Sequence, residues 1–349
     1  MRNSLLSILL VMVVFLSIVL SKYIFTSSKI LKVNLEQQAR TTKLEKISQP
    51  KSFNFPSPLI LSPLQSSRQK INLPDIESYN LEAKLASLEF DFPKSPGIHL
   101  NFPSESEAIL VTSLDKNQDY LKYHIYKRWP IASLTKLMTA IIAKEKLVPD
   151  RQIVISTKAE QTYGNRANIK AGQKYSVKQL INIMLICSSN DAAVALSETR
   201  EDFVDLMNKK AKELNLNQTK FVEPTGLSPE NFSSASDLKK LVRYIQAHHS
   251  EILEIGKKDN IQIKQPKGLK NFININKLRK IENFIGGKTG YIDESKENAI
   301  SIFQLNGEKI LVIVLGANDR YKQTKDLFAW LKQYKLCNSI SQVSSRIFK

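Results

Sequence analysis

The most informative segment of the sequence is Pro130-Ile-Ala-Ser133-Leu-Thr-Lys136-Leu-Met-Thr-Ala-Ile-Ile-Ala143. Apolar side chains recur in it at helical spacing and a proline lies just ahead of the first turn, which predicts a turn that opens a buried helix. Ser133 and Lys136 are three residues apart, so they lie on one face of that helix. A serine hydroxyl becomes a good nucleophile when a base takes its proton, and a lysine held in an apolar pocket can be that base. Backbone N–H groups at the helix start would face an oxyanion forming over Ser133.

Two later stretches distinguish this Ser-x-x-Lys from others in the chain, such as Ser236/Lys239. The first is Ser188-Ser189-Asn190, a polar interruption between two apolar runs at helical spacing. Polar side chains in such a position cost free energy unless they are hydrogen-bonded or used. The second is Lys288-Thr289-Gly290, the single Lys-Thr-Gly of the chain. It has a strand-like setting, where glycine lets a substrate backbone approach closely.

Ser-x-x-Lys, Ser-x-Asn and Lys-Thr-Gly, in this order, form the motif set of penicillin-binding proteins and class A β-lactamases. The stretches Thr219-Lys-Phe-Val-Glu-Pro-Thr-Gly-Leu227 and Ser233-Ser-Ala-Ser-Asp-Leu238 add to the match. Together they resemble the low-molecular-mass penicillin-binding proteins, and within these the serine D-alanyl-D-alanine carboxypeptidases. The resemblance covers roughly residues 96–335. It implies a transpeptidase-like fold, a peptidoglycan stem peptide as substrate, and covalent binding of β-lactams.

The resemblance also implies a covalent mechanism that needs no cofactor. Ser133 would attack the carbonyl of the penultimate D-alanine and form an acyl-enzyme. Lys136 would be the base, and Ser188 would relay a proton to the leaving amine. The backbone N–H groups of Ser133 and Tyr291 would form the oxyanion hole.

The substrate-binding residues that the resemblance implies are Asn190, Lys288, Thr289, Gly290, Tyr291 and Arg320. Asn190 would hydrogen-bond the substrate amide, and Lys288 would keep the field of the site positive. Thr289 would help to bind the terminal carboxylate. Arg320 is a second candidate for that carboxylate, because a guanidinium fork matches its shape. A solvated charge at the start of a helix is the equally open alternative for Arg320.

Three other functions stay open at this stage. The motifs do not separate a carboxypeptidase from a peptidoglycan D,D-endopeptidase. A β-lactamase needs a glutamate to activate the deacylating water, and Glu213 and Asn217 have the required spacing, although carboxypeptidases carry a similar segment. Relatives usually follow Lys-Thr-Gly with a small threonine and an Ala-Gly pair, whereas this chain has Tyr291-Ile-Asp-Glu-Ser-Lys-Glu-Asn298. The altered loop leaves room for a non-catalytic wall-binding protein.

The fold class follows from strands at both ends of a helical middle. One hairpin is predicted from strands at 107–114 and 120–126, and a second from strands at 299–305 and 309–316, joined by Asn306-Gly307. A closing helix is predicted over 321–334. This arrangement predicts an α+β domain in which one antiparallel sheet is covered by helices.

The N-terminal region has a different composition. Residues 5–20 are almost entirely apolar, so residues 1–25 are predicted to be a transmembrane anchor or a signal segment. No Ala-x-Ala cleavage site follows, which favours an anchor. Residues 26–95 contain six prolines and are predicted to be a low-order stalk. The catalytic domain would span 96–335, outside a single-pass anchor in the cell membrane, and 336–349 would be a tail.

Charge and cysteine content limit the partners. The net charge of +18 and the pI of about 9.6 favour anionic partners. No nucleic-acid-binding motif is present and the basic residues are spread along the chain, so wall polymer or acidic lipid is expected rather than nucleic acid. The cysteines Cys187 and Cys337 are too few for a disulfide framework. The four histidines form no ligand pattern with cysteines or carboxylates, so no metal site is predicted.

Overall fold

The computed structural model describes residues 105–164, 166–266 and 268–347, with side chains described as far as Leu336. The strands are β1 Ala108–Ser113, β2 Asp119–Tyr123, β3 Trp129–Pro130, β4 Gln152–Val154, β5 Lys174–Ser176, β6 Phe232–Ser233, β7 Asn260–Gln265, β8 Gly268–Ile273, β9 Phe284–Ile292, β10 Lys296–Leu305 and β11 Glu308–Ala317. The α-helices are α1 Lys136–Lys146, α2 Thr157–Glu160, α3 Val177–Ile186, α4 Asn190–Ser197, α5 Phe203–Glu213, α6 Ala235–His248, α7 Glu251–Glu254 and α8 Arg320–Ile347.

The central feature is a five-stranded antiparallel sheet with the order β2-β1-β11-β10-β9. Both predicted hairpins belong to it, although their strands differ by a few residues from the predicted limits. Asn306 and Gly307 join β10 to β11 with φ of 50° and 77°, the left-handed geometry of a type I′ turn. The predicted α+β fold, with an antiparallel sheet covered by helices, is confirmed.

The sheet is buried on both faces because helices cover both. Leu110 and Ile313 pack into the core that includes the buried faces of α1, α3 and α4. Their sequence neighbours point the other way, and Ile109 packs with Phe328 and Leu331 of α8. This explains why β1 is buried at every position. The strands therefore hold the site elements against a rigid support.

The closing helix is longer than predicted. The apolar positions Leu327 and Leu331 are buried against the sheet, as expected for a helix over 321–334. The helix continues to Ile347, however, and includes most of the segment predicted as a tail. The prediction of its end was wrong because no proline or glycine follows Tyr334 to stop the helix.

The predicted anchor at 1–25, the predicted stalk at 26–95 and the side chain of Cys337 lie outside the described residues. Within the part of the chain that is described, none of the helices combines the length and the apolar character needed to cross a membrane.

Candidate active site

The three predicted motifs meet at one cleft of about 580 Å³. Its walls come from the turn before α1, from the junction of α3 and α4, and from β9. The residues lining it are Ser133, Tyr163, Gly164, Arg166, Ser188, Asn190, Gly226, Leu227, Ile275, Thr289, Gly290, Tyr291, Ile292, Asp293, Glu294 and Arg320. No group of three or more His, Cys, Asp or Glu side chains within the described ranges is arranged to hold a metal ion.

Ser133 lies in a 3₁₀ turn, Ala132–Thr135, that leads directly into α1. The turn begins with Ala132 in the left-handed region, at φ 48°, a conformation that L-residues other than glycine adopt at a cost. Lys136 is the first residue of α1 and is fully buried. Its Nζ donates hydrogen bonds to Ser133 Oγ at 2.9 Å, to Asn190 Oδ1 at 2.6 Å and to the Thr225 carbonyl. These contacts place the amine where it can take the hydroxyl proton.

The surroundings of Lys136 favour its neutral form. Burial lowers the pKa of Lys136 from 10.5 to about 7. The negative charge of Glu223 acts in the opposite direction, as does the weaker effect of Asp191, whereas Arg166 lowers the pKa further. A large fraction of Lys136 is therefore an uncharged base at neutral pH.

Ser188 lies at the junction where α3 ends and α4 begins, with φ of 54°. Lys288 Nζ donates to Ser188 Oγ at 2.7 Å and to the Thr289 carbonyl at 2.6 Å. Burial lowers the pKa of Lys288 well below its ordinary value, and the nearby charges of Lys136 and Arg320 lower it further. The hydroxyl of Ser188 thus lies beside a buried amine, as Ser133 does.

The junction between α3 and α4 has a local cause in the sequence. Ser189 caps α4 because its hydroxyl accepts a hydrogen bond from the Ala192 N–H. The next residue, Asn190, is held at both ends of its amide, since Oδ1 accepts from Lys136 and Nδ2 donates to the Tyr163 carbonyl at 2.8 Å. The amide therefore connects the base to the loop on the opposite wall.

Strand β9 forms the remaining wall and lies at the edge of the sheet. An edge strand presents unpaired backbone groups that an extended peptide can pair with. Gly290 brings this strand directly against the nucleophile, because a Cβ atom on Gly290 would lie 2.9 Å from the Ser133 nitrogen. Tyr291 follows at the cleft wall. The two backbone N–H groups predicted for the oxyanion hole thus belong to residues on adjoining segments.

Comparison with known proteins agrees with this arrangement. Residues 104–319 match the peptidase S11 family, described as D-alanyl-D-alanine carboxypeptidase. The chain belongs to this family. The family predicted from the motifs, and with it the predicted class of hydrolase, is confirmed.

Three similar proteins illustrate the range of the S11 family. The chain is 28% identical over 225 residues to D-alanyl-D-alanine carboxypeptidase DacF of Bacillus subtilis, a match that covers 61% of this chain and 58% of DacF. It is 32% identical over 221 residues to a D-alanyl-D-alanine endopeptidase of Haemophilus influenzae, over 61% of this chain and 75% of that protein. The structure of penicillin-binding protein D2 from Listeria monocytogenes in its cefotaxime-bound form matches with a TM-score of 0.59 and 29% identity, over 67% of this chain and 98% of that one.

Arg320 is not the solvated charge that the sequence left open. Its side chain is only 13% exposed and lines the cleft. Its Nη1 donates to the Gly290 carbonyl at 2.8 Å, and its Nη2 donates to Tyr321 Oη at 3.3 Å. Glu297 lies 4.0 Å from Nε. Arg320 therefore supports β9 and adds positive charge to the cleft.

The loop after Lys-Thr-Gly, which departs from the usual family sequence, is closely tied to the nucleophile. It folds as a 3₁₀ turn, Asp293–Ser295, between β9 and β10. Trp129 Nε1 donates to the Ser295 carbonyl at 2.9 Å, and Asn298 Nδ2 donates to the Pro130 carbonyl at 3.0 Å. The altered loop is thus joined to the strand that precedes Ser133.

Sequence reasoning missed two residues of the opposite wall, Tyr163 and Arg166. They come from the segment between α2 and β5, which carries none of the motifs. Tyr163 is 83% exposed, and its carbonyl accepts the hydrogen bond from Asn190. The charge of Arg166 lowers the pKa of both Lys136 and Lys288. Only the fold brings these side chains to the motifs.

Asp191 was also missed, although it follows the predicted residue Asn190 directly in the sequence. It is fully buried, and its Oδ1 accepts hydrogen bonds from the Ser189 hydroxyl and from the Ala192 N–H. Burial raises the pKa of Asp191 to about 6. Its position after Ser188-Ser189-Asn190 was the available signal, since the helix dipole favours an acidic residue in the first turn of a helix.

Glu213, the residue on which the β-lactamase alternative depends, does not line the cleft. It is the last residue of α5, its side chain is 48% exposed, and it pairs with Lys210 at 3.1 Å. The structure therefore assigns it an exposed ion pair at a helix end.

Proposed function

We propose that the protein removes the terminal D-alanine from peptidoglycan stem peptides through an acyl-enzyme on Ser133. The observation that carries the proposal is the 2.9 Å contact between Ser133 Oγ and Lys136 Nζ, with burial lowering the pKa of that amine to about 7. A lysine with a purely structural role would not need to be buried beside a serine hydroxyl. A lysine that acts as a general base needs this setting.

The steps follow from the positions of the side chains. Ser133 Oγ attacks the carbonyl carbon of the penultimate residue while its proton moves to the neutral amine of Lys136. The resulting oxyanion is stabilised by the N–H groups of Ser133 and Tyr291. When the tetrahedral adduct collapses, the C–N bond breaks and Ser188 relays a proton to the amine of the departing D-alanine, so that the proton which Lys136 took from Ser133 ends on the leaving group and Lys136 is neutral again. Water then hydrolyses the ester and frees Ser133.

The substrate is a peptide that ends in a carboxylate. It would lie along β9 as an added strand, with Asn190 bonded to its amide. Arg320 supplies positive charge at this end of the cleft and Thr289 supplies a hydroxyl donor, and both favour a terminal carboxylate. A β-lactam presents a carboxylate and a reactive amide in a similar arrangement, and the similarity to a penicillin-binding protein solved with cefotaxime supports covalent β-lactam binding here.

A penicillin label tests the nucleophile. Mass spectrometry of the penicillin-treated protein should place the adduct on a peptide that contains Ser133, and Ser133→Ala should abolish it. Ser236→Ala is the matched control, because Ser236 precedes Lys239 at the same spacing and lies in α6. An adduct that survives in Ser133→Ala would refute the assignment.

Cleavage of cross-linked stem peptides is the second candidate function. A relative that is 32% identical is named an endopeptidase, and the cleft extends past the catalytic side chains to Tyr163, Asp293 and Glu294. The protein should be incubated separately with a pentapeptide and with a cross-linked muropeptide dimer, while free D-alanine and monomer release are measured. Monomer release without D-alanine would mean an endopeptidase, and neither product would indicate a non-catalytic protein.

We further propose that residues 1–25 anchor the protein in the cell membrane with the catalytic domain outside. The apolar run at 5–20 and the wall substrate support this orientation. Protease added to intact spheroplasts should degrade the domain of the full-length chain. Protection of the domain, or recovery of a soluble chain without its N-terminus, would contradict the proposal.

A further inference from the structure

A carboxylate outside the motif set holds a tight turn beside the base. Glu223 accepts hydrogen bonds from the N–H of Thr225 at 2.6 Å, from the Thr225 hydroxyl at 2.5 Å and from the N–H of Gly226 at 2.6 Å. Asn231 Nδ2 donates to the same carboxylate. All four partners are donors, so the site matches a group with two acceptor oxygens. We call residues 223–226 the Glu223 turn.

The Glu223 turn lies directly against the nucleophile segment. The carbonyl of Thr225 accepts a hydrogen bond from Lys136 Nζ. Gly226 has φ of 84°, and a Cβ atom there would lie 1.9 Å from the Ala132 carbonyl oxygen. The Pro224 carbonyl accepts from Thr139 Oγ1 at 2.7 Å, one turn further along α1. The turn therefore contacts both sides of Ser133.

The buried amide of Asn231 ties the turn to the strand that leads into this segment. Its side chain donates to Glu223, and its backbone carbonyl accepts from the Ile131 N–H at 3.0 Å. A shift of the carboxylate would consequently move the backbone before Ser133 as well as the carbonyl that holds Lys136. The geometry of the base and that of the nucleophile depend on one side chain.

The charge of Glu223 acts on the same amine. Among the charged groups around Lys136, it has the largest effect, and it favours the ammonium form. Asp191 acts in the same direction and Arg166 in the opposite one. Lys288 is the further cation of the site, and its own pKa is lowered by the charge of Lys136. Burial favours the neutral amine of Lys136, and the charge of Glu223 acts against this effect of burial.

We propose that Glu223 is a positioning residue for acylation: its carboxylate holds the Glu223 turn, and with it the Thr225 carbonyl that accepts from Lys136, against Ser133, and its negative charge acts on the Lys136 amine. The inference rests on the proposed function, since it concerns the acylation of Ser133. Variants at residue 223 can separate two contributions of this side chain, namely the reach of its carboxylate and the charge that the carboxylate carries.

Three variants separate the two effects. Glu223→Gln keeps the length but replaces one acceptor oxygen with a donor, so it removes the charge and opposes one of the N–H groups. Glu223→Asn also removes the charge, and its short amide can close a turn by bonding to the backbone two residues on. Glu223→Asp keeps the charge and loses reach. Glu230→Gln is the matched control, because Glu230 lies in the same segment, is 68% exposed and pairs only loosely with Lys220 at 3.4 Å.

The assay is the rate of acylation by a fluorescent penicillin between pH 5 and 9, with folding checked by circular dichroism. In the wild type the rate should fall on the acid side as Lys136 becomes protonated. This fall in rate, the acid limb of the pH profile, should move to lower pH by about one unit in Glu223→Gln and Glu223→Asn, since loss of one nearby opposite charge shifts a pKa by that order. Glu223→Asp should leave the limb in place but lower the plateau rate by on the order of tenfold. Glu230→Gln should match the wild type in both.

The outcomes separate this inference from the proposed function. A wild-type chain that takes no label would refute the proposed function itself. A labelled wild type whose acid limb is unchanged in both neutral variants would overturn the role of the charge, and so would an equal shift in Glu223→Asp. A plateau that Glu223→Asp leaves unchanged would overturn the role in positioning. A lower plateau rate of acylation in Glu223→Asn, without any movement of the acid limb, would indicate that the carboxylate acts only by holding the turn.

Discussion

Replacing Gly226 with alanine tests whether the close approach of two backbone segments sets the position of Ser133. Two penalties are expected. Alanine at φ 84° carries a conformational cost of about 1 kcal/mol. In addition, its Cβ would lie 1.9 Å from the Ala132 carbonyl oxygen, whereas ordinary contacts begin near 3.4 Å. The two segments must therefore separate by roughly 1.5 Å, the difference between those two distances.

Gly172→Ala provides a matched control. Gly172 has φ of 80°, close to that of Gly226, but a Cβ atom there would meet nothing within 4 Å. It should therefore lower the free energy of unfolding by about 1 kcal/mol and leave acylation unchanged. The difference between the two variants isolates the contact with Ala132 from the cost of the left-handed backbone.

A displacement of about 1 Å in an active site can lower the rate by ~10²-fold, which corresponds to about 2.7 kcal/mol of barrier. We expect Gly226→Ala to acylate with penicillin about a hundredfold more slowly than Gly172→Ala. Both rates should be measured at the pH of the plateau, alongside thermal unfolding, so that unfolded protein is not counted. A Gly226→Ala rate within about threefold of the control would refute the claim that this contact positions the nucleophile.

Three further predictions follow from the site. If the neutral amine of Lys136 is the base, as proposed, penicillin acylation should be near its plateau above pH 7 and fall about tenfold for each pH unit below it, because the pKa of the amine is lowered to about 7. A constant rate from pH 5 to 7 would contradict this. Arg320→Ala should raise KM for a pentapeptide by about 10- to 100-fold, the range for a lost hydrogen bond to a charged group, whereas Lys322→Ala, at an exposed position in α8, should not change it. Glu213→Gln should leave the lifetime of the penicillin adduct unchanged, and a lifetime longer by ~10²-fold or more would instead identify Glu213 as the deacylating base.

Local patterns in the sequence were sufficient for the fold and for most of the site. The Asn306-Gly307 pair predicted the β10–β11 hairpin because its turn geometry is nearly a property of the two residues alone. The apolar spacing after Ser133 predicted α1 for the same reason, since helical periodicity is local. The helix end beyond Tyr334 was missed because only an absence of stop signals marked it.

Sequence motifs were enough to identify Ser133, Lys136, Ser188 and Lys288 as candidate site residues, and the structure brings all four together. Their contributions to catalysis remain predictions. Glu223 could not be found in this way, because two of the four donors named above are backbone N–H groups, which nearly every residue type supplies.

The protonation and the placement of these groups, by contrast, depend on the tertiary structure. Burial in the core lowers the pKa of Lys136, and the groups that position its amine, Asn190 and the Thr225 carbonyl, lie 54 and 89 residues away along the chain. The left-handed backbone at Ala132 and Ser188 is likewise held by packing rather than by local preference. Desolvation and backbone strain arise from contacts between distant segments, so no local pattern of residues encodes them.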